Sequence, residues 1–186
     1  MTLLEMKKKI LGLIEEVNPN VESLTDDPDI AQKHHDVINQ IMFELARLKK
    51  LPDYVEIEVN EGDLLRFEDI EAVGGYEVYQ IDAVKGVSYE YKAQGTLVKV
   101  LETGTAEVEY FRYPERITEK TKNNYEFELS NDVLEIMPYG VAADLLKSDV
   151  SNNYGKIYAD RYETMKSQID SRYNTGMIEF EGGVDI

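Results

Sequence analysis

His34 and His35 are the only histidines in the chain, and it has no cysteine. Any imidazole-based acid–base or metal chemistry must therefore run through this one pair. Both lie in a stretch of helical periodicity, where adjacent side chains diverge by about 100° and cannot grip one metal from the same face. One is expected to border the apolar stripe and the other to face water. The missing cysteines remove disulfides, thiolate nucleophiles and every Cys-based zinc or iron–sulfur site.

Carboxylates are abundant, with 37 Asp and Glu residues, so pairs arise by chance. Asp26-Asp27-Pro28-Asp29 opens like a calcium loop. It lacks the glycine and the final glutamate that such a loop needs, and it reads better as a helix start. Glu61, Asp63, Glu68, Asp69 and Glu71 form a second acidic cluster, read as a solvated loop. A glycosidase would need two carboxylates at a set separation in a cleft. The tyrosine-rich runs Tyr76–Tyr79 and Tyr89–Tyr91 offer cleft walls, yet nothing selects a carboxylate pair. No phosphate-binding Gly-rich loop or Gly-x-Ser-x-Gly elbow occurs. No catalytic residue, metal or cofactor is expected, and the chain is read as not an enzyme.

Charge narrows the classes further. The net charge is −17, against the Lys and Arg excess that phosphate neutralisation requires. An anionic membrane surface repels such a chain, and no apolar run reaches the roughly 18 residues of a membrane span. The start, Met1-Thr2-Leu3-Leu4-Glu5-Met6-Lys7, lacks the order of a secretory signal, so the protein is expected to stay where it is made. Tyrosine is frequent at 13 and tryptophan absent. An apolar ring with a polar tip suits surfaces that are alternately wet and covered.

The elements that position these residues follow from periodicity. Thr2 and Glu5 form a capping box for a helix to Val17, with Leu3, Met6, Ile10, Leu13 and Ile14 on one face. Asp27 and Pro28 start a second helix, striped by Ile30, Val37, Ile38, Ile41, Leu45 and Leu48 and ended by Pro52. The period then falls to two. Strands are expected at 55–59, 64–67, 76–84, 87–93, 96–101, 106–113 and 125–129, with hairpin turns at Lys85-Gly86, Gln94-Gly95 and Thr103-Gly104-Thr105. Helical spacing returns at Ser130, with Pro138 as a kink or a new start. After a cap at Ser151 comes the ladder Tyr154, Tyr158, Tyr162, Met165, Ile169 and Tyr173. Tyr154, Tyr158 and Tyr162 are candidate contact residues, because aromatic anchors are enriched at interface centres.

This order predicts an α+β fold. Helix pairs at 1–52 and 130–174 form a four-helix core, an antiparallel β-sandwich or barrel is inserted at 53–129, and 175–186 is a flexible C-terminal arm.

Two stretches carry a family resemblance. One is Val21-Glu22-Ser23-Leu24-Thr25-Asp26-Asp27-Pro28-Asp29 with Asn39-Gln40-Ile41-Met42-Phe43-Glu44-Leu45-Ala46. The other is Val108-Glu109-Tyr110-Phe111-Arg112-Tyr113-Pro114-Glu115-Arg116-Ile117-Thr118, running on through Leu134–Leu146 to the Tyr-rich helix. The layout resembles tailed-bacteriophage head–tail connector (adaptor) proteins, especially the larger type related to tail tubular protein A. The resemblance implies a structural virion protein that forms a ring of copies, commonly a dodecamer, between the portal protein and tail or stopper proteins. DNA would pass through it without specific binding. It implies residence in the host bacterial cytoplasm during assembly and then in the virion. Met177, Ile178 and Phe180 would be a docking arm. Two other readings stay open: an acidic inhibitor or DNA mimic, and a carbohydrate-acting enzyme using β-block carboxylates.

Overall fold

The computed structural model describes residues 1–14, 28–92, 97–148 and 153–169. Helix α1 (Leu3–Leu13) starts with the reciprocal cap its sequence specifies. The Thr2 amide donates to a Glu5 carboxylate oxygen at 2.8 Å, and the Glu5 amide donates to Thr2 Oγ1 at 3.3 Å. Helix α2 (Pro28–Leu48) begins at proline, whose missing N–H costs nothing in a first turn. It buries Val37, Ile38, Ile41, Met42 and Leu45, whereas Leu48 of the expected stripe is exposed at the helix end. The expected cap Asp27 lies outside the described residues.

The middle of the chain forms β1 (Leu51–Val59), β2 (Leu64–Arg66), α3 (Phe67–Gly74), β3 (Val78–Lys85), β4 (Tyr89–Lys92), β5 (Leu97–Val100) and β6 (Gly104–Arg112). They make two three-stranded antiparallel sheets, ordered β1-β6-β3 and β2-β5-β4. Both sheets and α3 share one core of Val55, Leu65, Ile70, Ile81, Val98 and Val108.

Helix α4 (Asn131–Leu145) carries Pro138 without a break and runs into a short 3₁₀ turn, Leu146–Ser148. Helix α5 (Tyr154–Gln168) follows, led by Asn153 at its cap position. The expected cap Ser151 is outside the described residues. α4 is the hub: α1, α2 and α5 each pack on it.

The expected four-helix core with an inserted sandwich or barrel is therefore corrected, among the described residues, to five helices and two small antiparallel sheets. The reasons are local. α5 fully buries only one large side chain, Tyr162, so it is a peripheral helix and not an equal core partner. Part of the helical core instead comes from the segment after β6, through Tyr113, Ile117, Phe127 and Leu129. The run 125–129, expected as a strand, makes only a single bridge from Glu126 to Thr2. The run 64–67 stays extended for three residues and then turns into α3, which plugs the β core with Ile70. Strands of three or four residues give too little edge to close a barrel.

Two of the expected hairpins are also corrected. Gly86, at φ +82°, turns the chain from β3 into β4, but these belong to different sheets. The turn before β6 likewise carries the chain from β5 back to the first sheet. Strands β4 and β5 do pair as a hairpin, from Tyr89↔Val100 to Lys92↔Leu97; its Gln94-Gly95 turn is outside the described residues.

Candidate functional site

Alternation along β1 and β6 sends Val55, Val59, Ala106, Val108 and Tyr110 into the core. Their neighbours Tyr54, Glu56, Glu58, Thr105, Glu107 and Glu109 are thereby placed on the opposite face. The register puts Glu56 directly across from Glu107, Tyr54 across from Glu109 and Glu58 across from Thr105. Thr105 Oγ1 donates to the Glu58 carboxylate at 2.6 Å. Lys85, on the far strand, is the one cation among these side chains. It pairs with Glu109 and, at 3.6 Å, with Glu107, and those two carboxylates raise its pKa. Like charges directly opposite each other destabilise a sheet, so this face is not arranged for stability. Tyr54 stands on it 64% exposed. The run Val-Glu-Ile-Glu-Val announced the outward carboxylates of β1, but their partners on β6 required the register.

A seam of arginines and aromatic rings fixes this sheet to the helices. The Arg47 Nε–H donates to the Tyr113 hydroxyl at 2.6 Å, and Tyr113 stacks on Phe43 at 4.7 Å. Arg112 lies 3.8 Å from the Tyr76 ring centroid, donates to Asp53 at 3.0 Å and grips both Glu128 oxygens at 3.0 and 3.2 Å. The Tyr79 hydroxyl donates to the Ala46 carbonyl on α2 at 3.1 Å; burial, with Tyr113 beside it, pushes this phenol up to about 12. Asn39 acts as a backbone mimic. Its amide donates to the Ile117 carbonyl at 2.7 Å and its carbonyl accepts from the Ile117 amide at 2.8 Å, all in a buried setting. Nothing in the sequence marked Asn39, a polar residue inside an apolar stripe, as this clamp.

The tyrosine ladder divides by burial. Tyr154 is 51% exposed, the Tyr158 hydroxyl donates to the Leu13 carbonyl at 2.7 Å, and Tyr162 is 5% exposed. Tyr154 and Tyr158 stack at 6.3 Å, and Tyr139 of α4 meets Tyr158 at 6.2 Å. Tyr162 lines a groove of about 530 Å³ between α2, α4 and α5. Gly140 sits against its ring, where a Cβ would lie 2.8 Å from Cε2. The hydroxyl makes no hydrogen bond. Burial raises its pKa, and the nearby Glu44 and Glu163 carboxylates add to that. Lys166 holds Glu44 at 2.6 Å and Glu163 at 2.8 Å on the groove rim. Met177, Ile178 and Phe180, the expected arm residues, lie outside the described residues.

The other candidates do not converge. His34 and His35 lie ring to ring at 3.9 Å, and burial, aided by His34 and Lys7, lowers the His35 pKa to about 4. Asp63, Asp69 and Glu71 each accept from a nearby backbone amide, of Asn60, Arg66 and Val78, and so pin turns and a helix start. Among the described residues no group of three or more His, Cys, Asp or Glu is placed to hold a metal. Tyr76 and Tyr79 belong to the seam, whereas Tyr89 and Tyr91 pack on each other in β4. Among the described residues no helix is long and apolar enough to cross a membrane. No known protein-family model matches the chain, and no curated protein matches it in sequence.

Proposed function

We propose that the chain is a structural assembly protein: a head–tail connector subunit that joins others in a ring between portal and tail and lines the DNA path with the outer face of β1-β6-β3. The observation that carries this reading is the Glu56–Glu107 cross-strand pair, flanked by Glu58 and Glu109 and answered, among the described residues, by Lys85. Such a face costs folding stability and repels phosphate over about 8 Å at physiological salt, which suits a wall that DNA slides past without sticking. The contacts of Arg47 with Tyr113 and of Tyr79 with the Ala46 carbonyl support it further, since a channel wall must be held fast to the helices that make ring contacts. On this reading the chain has no catalytic role. It is made in the host bacterial cytoplasm, ends in the virion, and has portal and tail or stopper proteins as partners.

Charge reversal tests the assignment. A chain carrying Glu56→Lys, Glu58→Lys and Glu107→Lys should still enter tailed particles, but those particles should eject DNA more slowly. Normal ejection from particles containing the variant would remove the sheet face from the channel.

A further inference from the structure

The sheet β2-β5-β4 has an outer face whose charge runs against that of the chain. Leu65, Val98 and Val100 belong to the β core, so their strand neighbours Leu64 and Arg66 of β2 and Leu97 and Lys99 of β5 are placed on the other side. In β4, Tyr89 packs on that core and Tyr91 pairs with Val98, which puts Glu90 and Lys92 on the outer side as well. The register makes two rows, Leu64 with Lys99 and Glu90, and Arg66 with Leu97 and Lys92. Three cations and one carboxylate thus share this face in a chain of net charge −17. Lys92 holds Glu90 at 2.5 Å, and the Asp69 carboxylate is engaged by the Arg66 backbone amide. Arg66 and Lys99 form no ion pair among the described residues, although the chain has 37 Asp and Glu residues to offer. Leu64, directly across from Lys99, is 44% exposed.

Size and spacing decide what fits. The face is about 10 Å wide from β2 to β4 and about 7 Å from row to row. A stable subunit contact buries about 800 Å² on each partner, so this face alone is too small for a second copy of the chain. It is the size of a short extended segment. Arg66 and Lys99 are diagonal neighbours on adjacent strands, roughly 7–8 Å apart at Cβ. In an extended segment, side chains two residues apart point the same way and stand about 7 Å apart. Two carboxylates at that spacing meet both cations, and apolar side chains beyond them cover Leu64 and Leu97, which occupy the other diagonal.

We infer that the outer face of β2-β5-β4 docks a short, extended, acidic segment of a partner protein, with carboxylates two residues apart on Arg66 and Lys99. The contact does not require a ring, and it leaves the Glu56–Glu107 face free.

Amide NMR titration of the full chain with the peptide Leu-Ser-Glu-Ser-Glu-Ser-Leu tests this. Saturable shifts should concentrate at Arg66, Leu97 and Lys99 and spare Glu56 and Glu107. Arg66→Gln with Lys99→Gln should bind the peptide about fivefold more weakly, the loss expected for two surface ion pairs. Its unmoved β1 and β6 resonances would show that the fold is intact. Glu56→Gln with Glu107→Gln should leave binding unchanged. The isomer Leu-Ser-Glu-Glu-Ser-Ser-Leu has the same charge but sends its adjacent carboxylates to opposite sides, and it should bind more weakly than the first peptide. Equal binding of the two peptides, or no saturable shift with either, would overturn the proposal. So would a short single-stranded DNA that shifts the same residues when the peptide does not, which would make the face a phosphate site.

Discussion

Asn39 ties α2 to the segment that follows β6. Both its amide groups are spent on Ile117, so Asn39→Ala leaves a buried N–H and a buried C=O without partners. A loss of about 1–3 kcal/mol in unfolding free energy is expected by urea titration. Gly140→Val should be similarly costly, because the new side chain meets the Tyr162 ring and Ile41 Cγ2, the latter 3.1 Å from the Cβ position. His35 sets an acid limit. Its folded pKa, lowered to about 4 by burial and by the nearby charges of His34 and Lys7, lies below the ordinary imidazole value of 6.5, while Asp36 pulls the other way. The unfolded chain therefore binds the proton first. The stability of the neutral form is complete above about pH 6.5 and drains away as the pH falls toward 4. Below that, Asp132, whose pKa is held down by Lys49, gives up its own contribution. The thermal midpoint should thus drop between pH 7 and pH 4.5, and His35→Gln should flatten that drop. At this scale the sequence was informative where one residue acts on its near neighbours, as in the Thr2–Glu5 cap. It was silent where the partner is distant, as for Asn39 and Ile117.

Among the elements, the sheet β1-β6-β3 ties stability to the proposed role. Glu56→Gln removes one side of the opposed pair with Glu107 and should stabilise the fold by about 0.2–1 kcal/mol in thermal melts. A destabilised variant would mean that Glu56 has a stabilising role that the register does not reveal. Gly86 shows what a turn signal does and does not specify. A side chain there would be strained by φ +82° and would meet the Thr105 carbonyl oxygen 2.6 Å from its Cβ, so glycine is required. Lys85-Gly86 signals a turn, but not that β3 and β4 part into different sheets. Strand runs were legible because their period is two. Which strands pair is decided by the shared core around Ile70, Ile81 and Val98, and that is a property of the assembled block. The run 64–67 stops as a strand at Arg66 for a related reason: the Asp69 carboxylate accepts from the Arg66 amide and starts α3. Helix α5 shows the opposite limit. Its tyrosines recur at helical spacing, yet only Tyr162 is fully buried, so periodicity alone overstated its place in the core.

For the whole molecule, the leading and closing helices and most strands were legible, while α3 and the architecture were not. The run 125–129 proved not to be a strand and α3 was not expected, and the hub position of α4 and the role of Tyr113, Ile117, Phe127 and Leu129 in the helical core follow from three-dimensional packing. The charge of −17 was visible at once. Four of its carboxylates, Glu56, Glu58, Glu107 and Glu109, share one sheet face with Lys85, beside contacts that tie that sheet to α2, and this is what supports a channel wall. The most direct test is quantitative mass spectrometry of tailed particles induced from the strain that encodes the chain. A connector should be present in every particle at a fixed copy number close to that of the portal subunit. Intact, infectious tailed particles without this chain would contradict the connector role.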